Sequence, residues 1–359
     1  MLAALVLTLA APAAADTLIG AASAVTGSYA WLGEQLQQGA QMAVRDLNGS
    51  GGLLGGDKVK LVIADDACEG PQAVAVAEKL VGDGVVFVVG HDCSAASISA
   101  SEVYYKAGVI QISPASTNPV FTELGRSNVF RVCGRDDEQG VLAGDYLADH
   151  FAGSRIAIVH DGAIYGKGLA EETKKELNKR GVAEAMFETI APGQSDYSRL
   201  IEKLRVAGVS VLYFGGYAAE AGLIVRTAHE TGLALRLVSG DALSTKEFML
   251  VAGPAGEGTV FTFFPDPRRS PAAAELIERF HKIGFEPEGQ TLYSYAAVQV
   301  WSQAVEKVGA TAADKVIAAL HRNKFATVLG PISFDAKGDV EQRTFEWYVW
   351  REGGYEGLQ

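Results

Sequence analysis

Cysteine is scarce in this chain, with three residues in 359: Cys68, Cys93 and Cys133. A zinc centre needs more thiolates or closely spaced histidines, and the six histidines (91, 150, 160, 229, 281 and 321) are scattered. No metal or other cofactor is therefore expected. Positive charge is also short: 31 Lys and Arg stand against 43 Asp and Glu, a formal net charge of −12. That balance argues against a nucleic-acid partner gripped by phosphate neutralisation. No helix pair of the DNA-reading kind precedes the first strand. Long apolar runs are missing too, since no stretch approaches the ~20 residues that span a bilayer. Several enzyme signatures are absent. There is no G-x-S-x-G elbow, and no G-x-G-x-x-G opens the first helix. In "GAIYGKG" three residues, not four, precede Gly-Lys, and Gly168 stands where a P-loop needs Ser or Thr.

What is present begins with a leader. "MLAALVLTLAAPAAA" has an apolar core, Leu2 to Leu9, then Pro12 and the small pair Ala13 and Ala15. This A-x-A pattern predicts a secretory signal over residues 1–15 and a mature start at Asp16, although no basic residue precedes the apolar run. No cysteine follows the cleavage site, so no lipid anchor is expected there.

From residue 17 short apolar runs alternate with helical periods. "TLIGAA", "KVKLVIAD", "VVFVVG" and "VIQIS" read as strands. Between them lie a helix carrying Leu36, Ala40, Ala43, Val44 and Leu47, a helix "PQAVAVAEKLV" opened by Pro71, and a helix from Ser94 to Lys106. After "FRVCGRDDEQG" the rhythm restarts: helices over 138–151, 168–180, 196–206 and 218–231, with strands "RIAIVH", "AEAMFETI", "VSVLYFGG", "LRLVSGD" and "TVFTFF". A late helix "YSYAAVQVWSQAVEKV" and a strand "FEWYVW" pack back onto one half or the other. Helical connections imply parallel pairing, so the fold class is α/β, two Rossmann-like doubly wound lobes with a ligand cleft between them.

In such lobes the loops after the strands border the cleft, where helix N-termini offer free N–H groups to an anion. The acids of "DDACE" and "RDDE" sit at strand ends and first helical turns, where caps are the ordinary role. "GHDCSAAS" places His91, Asp92, Cys93 and Ser94 after the third strand. Two roles are open to Cys93. It is a nucleophile if a base arrives from elsewhere in the chain, or a cystine with Cys68, which follows the adjacent strand. In an oxidising compartment the cystine is favoured, leaving Cys133 as a buried small hydrophobe. Ser94 can turn its N–H and hydroxyl to a carboxylate, and "SPASTNP" adds Ala115 and Thr117. Asp241 supplies a counter-charge for an ammonium. One anion cradle and one carboxylate across a cleft suit a zwitterion, an α-amino acid; the plainer alternative is that these hydroxyls only cap helices.

Six collinear stretches, "DDACEGPQAVAVAEKLV", "GHDCSAAS", "ISPASTNP", "IVHDGAIYGKGLA", "YFGGYAAEAG" and "YAAVQ", resemble the periplasmic leucine/isoleucine/valine-binding proteins of branched-chain amino-acid ABC importers. The likeness spans essentially the whole mature chain. It implies lobes over 16–136 plus 265–343 and over 137–264 plus 344–359, and a disulfide at Cys68 and Cys93. The ligand carboxylate would be held by Ser94 and amides around Thr117. The ammonium would be held by the Ala115 carbonyl, the Thr117 hydroxyl and Asp241, with Tyr165 and Tyr217 closing over the ligand. The implied partners are a free amino acid and a membrane permease, the implied place the periplasm and the implied state a monomer without catalysis. The side-chain pocket departs from the pattern. Asp92 stands where leucine-selective members are apolar, the first-helix aromatic is displaced to Trp31 followed by Leu32, and Tyr293 adds a hydroxyl near the expected wall. A carboxylate beside an aliphatic ligand is costly unless paired or pointed at water. The expected ligand is thus an amino acid, branched-chain, small or polar; another small carboxylate is the alternative that Asp241 would repel.

Overall fold

The structure, a computed structural model, describes residues 16–342 and 345–358. The expected leader lies outside these residues. The chain opens with β1 (Thr17–Ser23), α1 (Ala30–Gly49), β2 (Val59–Asp65), α2 (Gly70–Gly82), β3 (Phe87–Gly90), α3 (Ser94–Ala107), β4 (Ile110–Ser113), α4 (Val120–Glu123) and β5 (Val129–Arg131). It continues with α5 (Asp136–Phe151), β6 (Ile156–His160), α6 (Ile164–Lys179), β7 (Met186–Thr189), α7 (Ser198–Val206), β8 (Val211–Gly215), α8 (Ala218–Glu230), β9 (Arg236–Ser239), α9 (Glu247–Ala252) and β10 (Val260–Phe263). The return comprises α10 (Ala274–Lys282), α11 (Thr291–Val308), α12 (Ala313–Arg322), β11 (Phe325–Thr327) and β12 (Gly330–Ile332), then β13 (Glu346–Arg351) and β14 (Gly354–Gly357).

The first sheet runs β2-β1-β3-β4-β5 with parallel neighbours. The second repeats that winding as β7-β6-β8-β9-β10, then adds the antiparallel pair β13 and β14 at its edge. Helices cover both faces of each sheet, so the central strands β3, β4, β6 and β8 are buried at every position. Alternation sorts their side chains. Phe87 and Val89 join a core with Leu36 and Trp301, while Val88 joins another with Ala73, Leu80 and Ala96. Trp301 of α11 stacks on Phe87 at 4.8 Å, which seats the late helix on the first sheet. "FEWYVW" instead becomes β13 of the second.

Two boundary shifts bear on the site. The helix expected over 168–180 already starts at Ile164, and the strand expected to reach Asp241 stops at Ser239. Asp241 opens a single 3-10 turn, Asp241–Leu243. Each winding reverses direction at one place, between β1 and β3 and between β6 and β8, and such switch points are where doubly wound sheets bind ligands.

Candidate functional site

A small cavity, of about 20 Å³, lies where the two switch points face each other, lined by Leu32, Asp92, Ser94, Ala115, Tyr165, Tyr217, Asp241, Ala242 and Gln290. Each lining residue follows the carboxyl end of a strand or opens a helix. Two glycines permit the close approaches. A Cβ on Gly33 would sit 1.8 Å from the Ala24 carbonyl oxygen, so only glycine lets α1 lean onto the end of β1 and present Leu32. A Cβ on Gly166 would sit 2.4 Å from the Gly215 carbonyl oxygen, and its absence lets α6 seat Tyr165 against the end of β8.

On the first lobe, serines stitch the loops after β3 and β4 together. Ser113 Oγ donates to the His91 carbonyl at 2.7 Å, and Ser116 Oγ lies 3.0 Å from the Asp92 carbonyl and 2.7 Å from Ser97 Oγ. Ser94, in the first turn of α3, accepts from the Asn118 amide at 3.3 Å. Arg131 supports the same loop from below: Nη1 donates to the Ser116 carbonyl at 2.5 Å and Nη2 to that of Asn118 at 3.0 Å. Its Nε pairs with Asp339 at 2.7 Å, and Arg135 takes the other Asp339 oxygen at 2.6 Å. Burial works against the Asp339 charge, but the two guanidiniums outweigh it and hold the carboxyl below its ordinary value.

On the second lobe, Asp241 is buried, and its Oδ1 accepts from Tyr165 Oη at 2.8 Å and from Gln139 Nε2 at 3.0 Å. Burial pushes this carboxyl up to about 7, with the Tyr165 hydrogen bond pulling the other way. Asp136 opens α5 nearby. It is no solvated cap, as first-turn acids usually are, but fully buried, its carboxyl held high by burial and by the Asp241 charge. The "DDACE" acids differ in the same way. Asp65 tightens a turn, accepting from the Val25 amide at 2.8 Å and the Ala67 amide at 3.0 Å. Asp66 is internal, 2.5 Å from His91 Nδ1, whose Nε2 lies 3.1 Å from the Tyr104 hydroxyl.

Of the residues expected from sequence, Leu32, Asp92, Ser94, Ala115, Tyr165, Tyr217 and Asp241 are brought together around the cavity. Thr117 does not line it; its hydroxyl is buried on the same loop without a hydrogen bond of standard geometry. Trp31 is partly buried and stands outside the lining. Tyr293 is not in the lining either: its hydroxyl donates to the Pro265 carbonyl at 3.1 Å and its ring packs on Phe264 at 5.1 Å. Asp92 neither points to solvent nor caps α3. It is buried, and neither carboxylate oxygen finds a donor. Cys93 is bonded to Cys68 with Cα atoms 5.4 Å apart, which removes the thiol a nucleophile would need. Cys133 is free and buried, as expected of a small hydrophobe.

Sequence reasoning missed Gln290, Ala242, Gln139 and Tyr29. Gln290 immediately precedes α11, a cap position whose nearness to the cleft depends on the return of the chain. Tyr29 of the first lobe packs on Tyr217 of the second at 4.6 Å, and Tyr217 on Tyr165 at 5.3 Å. Asn118 Nδ2 donates across the cleft to the Ile164 carbonyl at 3.0 Å. These contacts hold the lobes shut over the cavity.

Two like-wound lobes meeting over a small closed cavity define a two-lobed binding protein. The chain belongs to the periplasmic binding protein family, whose model matches residues 17–354. A Leu/Ile/Val-binding protein homolog of Brucella melitensis is 47% identical over 340 residues, 94% of this chain and 91% of that protein. An amino acid binding protein of Pseudomonas aeruginosa is 46% identical over 345 residues, covering 95% and 92%. Among solved structures, a leucine binding protein of Thermotoga maritima superposes with a TM-score of 0.87 at 25% identity, covering 96% of this chain and 98% of that one. A branched-chain amino acid transporter substrate binding protein of Streptococcus pneumoniae, in complex with isoleucine, gives 0.85 at 26%, covering 96% and 99%.

Proposed function

We propose that this protein captures a free α-amino acid between its lobes and presents the closed form to the permease of an ABC importer in the periplasm. The observation that carries the reading is the polarity of the cavity. Asp241, a carboxylate held by Tyr165 and Gln139, lines the cavity together with Ser94 at the start of α3 and Ala115 on the loop after β4; the second carboxyl of the lining, Asp92, has no such clamp. That arrangement matches an ammonium on one side and a carboxylate on the other. Ser94 and amides around Thr117 take the ligand carboxylate; the Ala115 carbonyl, the Thr117 hydroxyl and Asp241 take the ammonium; Tyr165 and Tyr217 cover it. A simple carboxylate without an ammonium would meet Asp241 as a like charge. Relatives whose names carry Leu/Ile/Val or amino-acid binding support the ligand class. The signal-like pattern expected over residues 1–15 supports export. The lobes take 16–136 plus 265–343 and 137–264 plus 344–359, and close as a monomer around the crossings between them.

The test is thermal. The protein is stripped of ligand by unfolding and refolding, then melted against each of the twenty amino acids. A ligand at about a hundred times its Kd adds roughly 2.7 kcal/mol to stability, an easily read shift. A melting temperature unmoved by every amino acid would sink the reading.

A further inference from the structure

The cavity contains one more unpartnered carboxyl than the head group of an amino acid requires, and burial together with the nearby Asp66 charge holds that carboxyl, Asp92, well above the ordinary carboxylate range. Asp92 lines the cavity, is 5% exposed, and neither of its carboxylate oxygens accepts a hydrogen bond. Polar groups beside it are engaged elsewhere. Ser116 Oγ is spent on the Asp92 backbone carbonyl, and Asp66, itself acidic, is taken up by His91 at 2.5 Å and the Cys68 amide at 2.7 Å. Gln290 adds a second buried acceptor without a donor, its Oε1, on the same cavity wall. Leu32 and Ala242 offer nothing polar, and no Lys, Arg or His lines the space. An acceptor left unmade in a buried site is costly, and more so when the group is charged. A purely aliphatic side chain would leave both acceptors in that condition. A side chain ending in N–H or O–H would satisfy them, and a cationic one would also favour the ionised form of Asp92, as the α-ammonium favours that of Asp241.

We infer that Asp92, with Gln290 beside it, is the specificity residue of this site and selects α-amino acids whose side chain carries a hydrogen-bond donor over leucine, isoleucine and valine. The inference rests on the amino-acid reading above and sharpens its ligand class. It runs against the branched-chain names of the relatives on the strength of Asp92, the residue before the bridging Cys93.

The test is calorimetric titration of the stripped protein, and of D92L and D92N, with leucine, valine, threonine, glutamine, ornithine and lysine. The wild type should bind its best donor-bearing ligand at least tenfold more tightly than leucine. D92L should reverse that order, weakening donor-bearing ligands by roughly ten- to a hundredfold, the size of one unmade buried hydrogen bond. D92N keeps a polar group of the same shape. It should hold threonine or glutamine within about threefold while losing ornithine and lysine if the charge matters, and should hold all donors alike if only the hydrogen bond does; both patterns keep Asp92 as the selector. Leucine equalling or exceeding every donor-bearing ligand in the wild type overturns the inference, as does a ranking that both variants leave unchanged. If D92L does not fold, the wild-type ranking and D92N still decide. Failure of the wild type to bind any amino acid is a different result: it removes the amino-acid reading itself.

Discussion

Tyr165 and Gln139 both donate to the same oxygen of Asp241, at 2.8 and 3.0 Å, so one carboxylate is clamped by two neutral side chains from two different helices. Gln139 extends the clamp to Thr262 Oγ1 at 2.8 Å, at the far edge of the parallel strands. The clamp fixes the direction of the carboxylate while leaving its charge unneutralised, which is the condition for receiving a cation from the cavity. Asp241→Asn should therefore abolish most ligand affinity while sparing the fold. Truncating one partner of a buried, hydrogen-bonded charge pair costs about 2–5 kcal/mol of binding. The predicted weakening, read by calorimetric titration, is more than thirtyfold, with the melting temperature of the ligand-free protein equal to or above that of the wild type. Unaltered affinity would remove Asp241 from the ammonium site.

The same burial gives binding a pH dependence of definite sign. The Asp241 carboxyl, ordinarily at 3.8, is raised to about 7 by burial, with Tyr165 opposing. An ammonium needs it ionised, so below pH 7 ligand binding must release a proton. Affinity should fall by up to about tenfold per unit as pH drops below about 7, and should level off above it. Stability of the ligand-free protein should move the other way. A carboxyl whose folded pKa is raised binds its proton more tightly when folded, so its contribution is full below about 4 and lost as pH climbs towards about 7. Titrations across this range in two buffers of different ionisation enthalpy, with parallel urea melts, check both slopes. Also close to the carboxyl are Asp136, whose own carboxyl is held high by burial and by the Asp241 charge, the buried Cys133, Tyr213 and Tyr217, and the neutral Gln139 and Tyr165. A flat affinity profile would contradict the assignment.

How much of this was legible in the sequence follows the range of the interactions involved. Strand runs such as "VVFVVG" and helical periods such as Leu36–Ala40–Val44 are local, and they yielded the two windings and the loops that border the cleft. Ser94 and Asp241 were readable because each follows a strand. Asp92 was readable as an anomaly, a carboxylate at a wall position, but not as an unpartnered one. Gln290 and Tyr29 were not legible: each reaches the cleft only after a chain return of tertiary origin, α11 onto the first sheet and the first lobe onto Tyr217. Tyr293, expected near the pocket wall, has its ring on Phe264 and its hydroxyl on the Pro265 carbonyl, partners that only the tertiary fold supplies.

Arg131 joins stability to the site. Its guanidinium is fully buried, paired with Asp339, and donates to the carbonyls of Ser116 and Asn118, the loop that carries Thr117. Arg131→Met keeps volume but removes every one of these donors. Breaking a buried pair from one side costs on the order of 3–5 kcal/mol; Arg135 remains on Asp339 and should hold the loss near 3 kcal/mol. Urea unfolding should show that loss, and ligand affinity should fall as well because the loop is no longer held. A change below about 1 kcal/mol would mean that the pair is dispensable.

The cystine makes the last prediction, because two independent readouts bear on it. Cys68 and Cys93 close a loop of 25 residues between the end of β2 and the start of α3, and Ser94 follows the second of them directly. Closing a loop of that size should stabilise the fold by about 3 kcal/mol in the chain-entropy account. A Cys68→Ser, Cys93→Ser double variant should lose about that much in chemical denaturation. Thiol titration of the wild type in denaturant without reductant should count one reactive group, Cys133, and three after reduction. Ligand binding is the discriminating measurement. The serine network from Ser113 and Ser116 to the His91 and Asp92 carbonyls holds the loop after β3 without help from sulfur. At a temperature where the double variant is still folded, its amino-acid affinity should stay within about tenfold of the wild type, one hydrogen bond's worth of disorder at Ser94. A folded variant that binds nothing would show that the staple positions Ser94 for the ligand, and that the serine network alone does not.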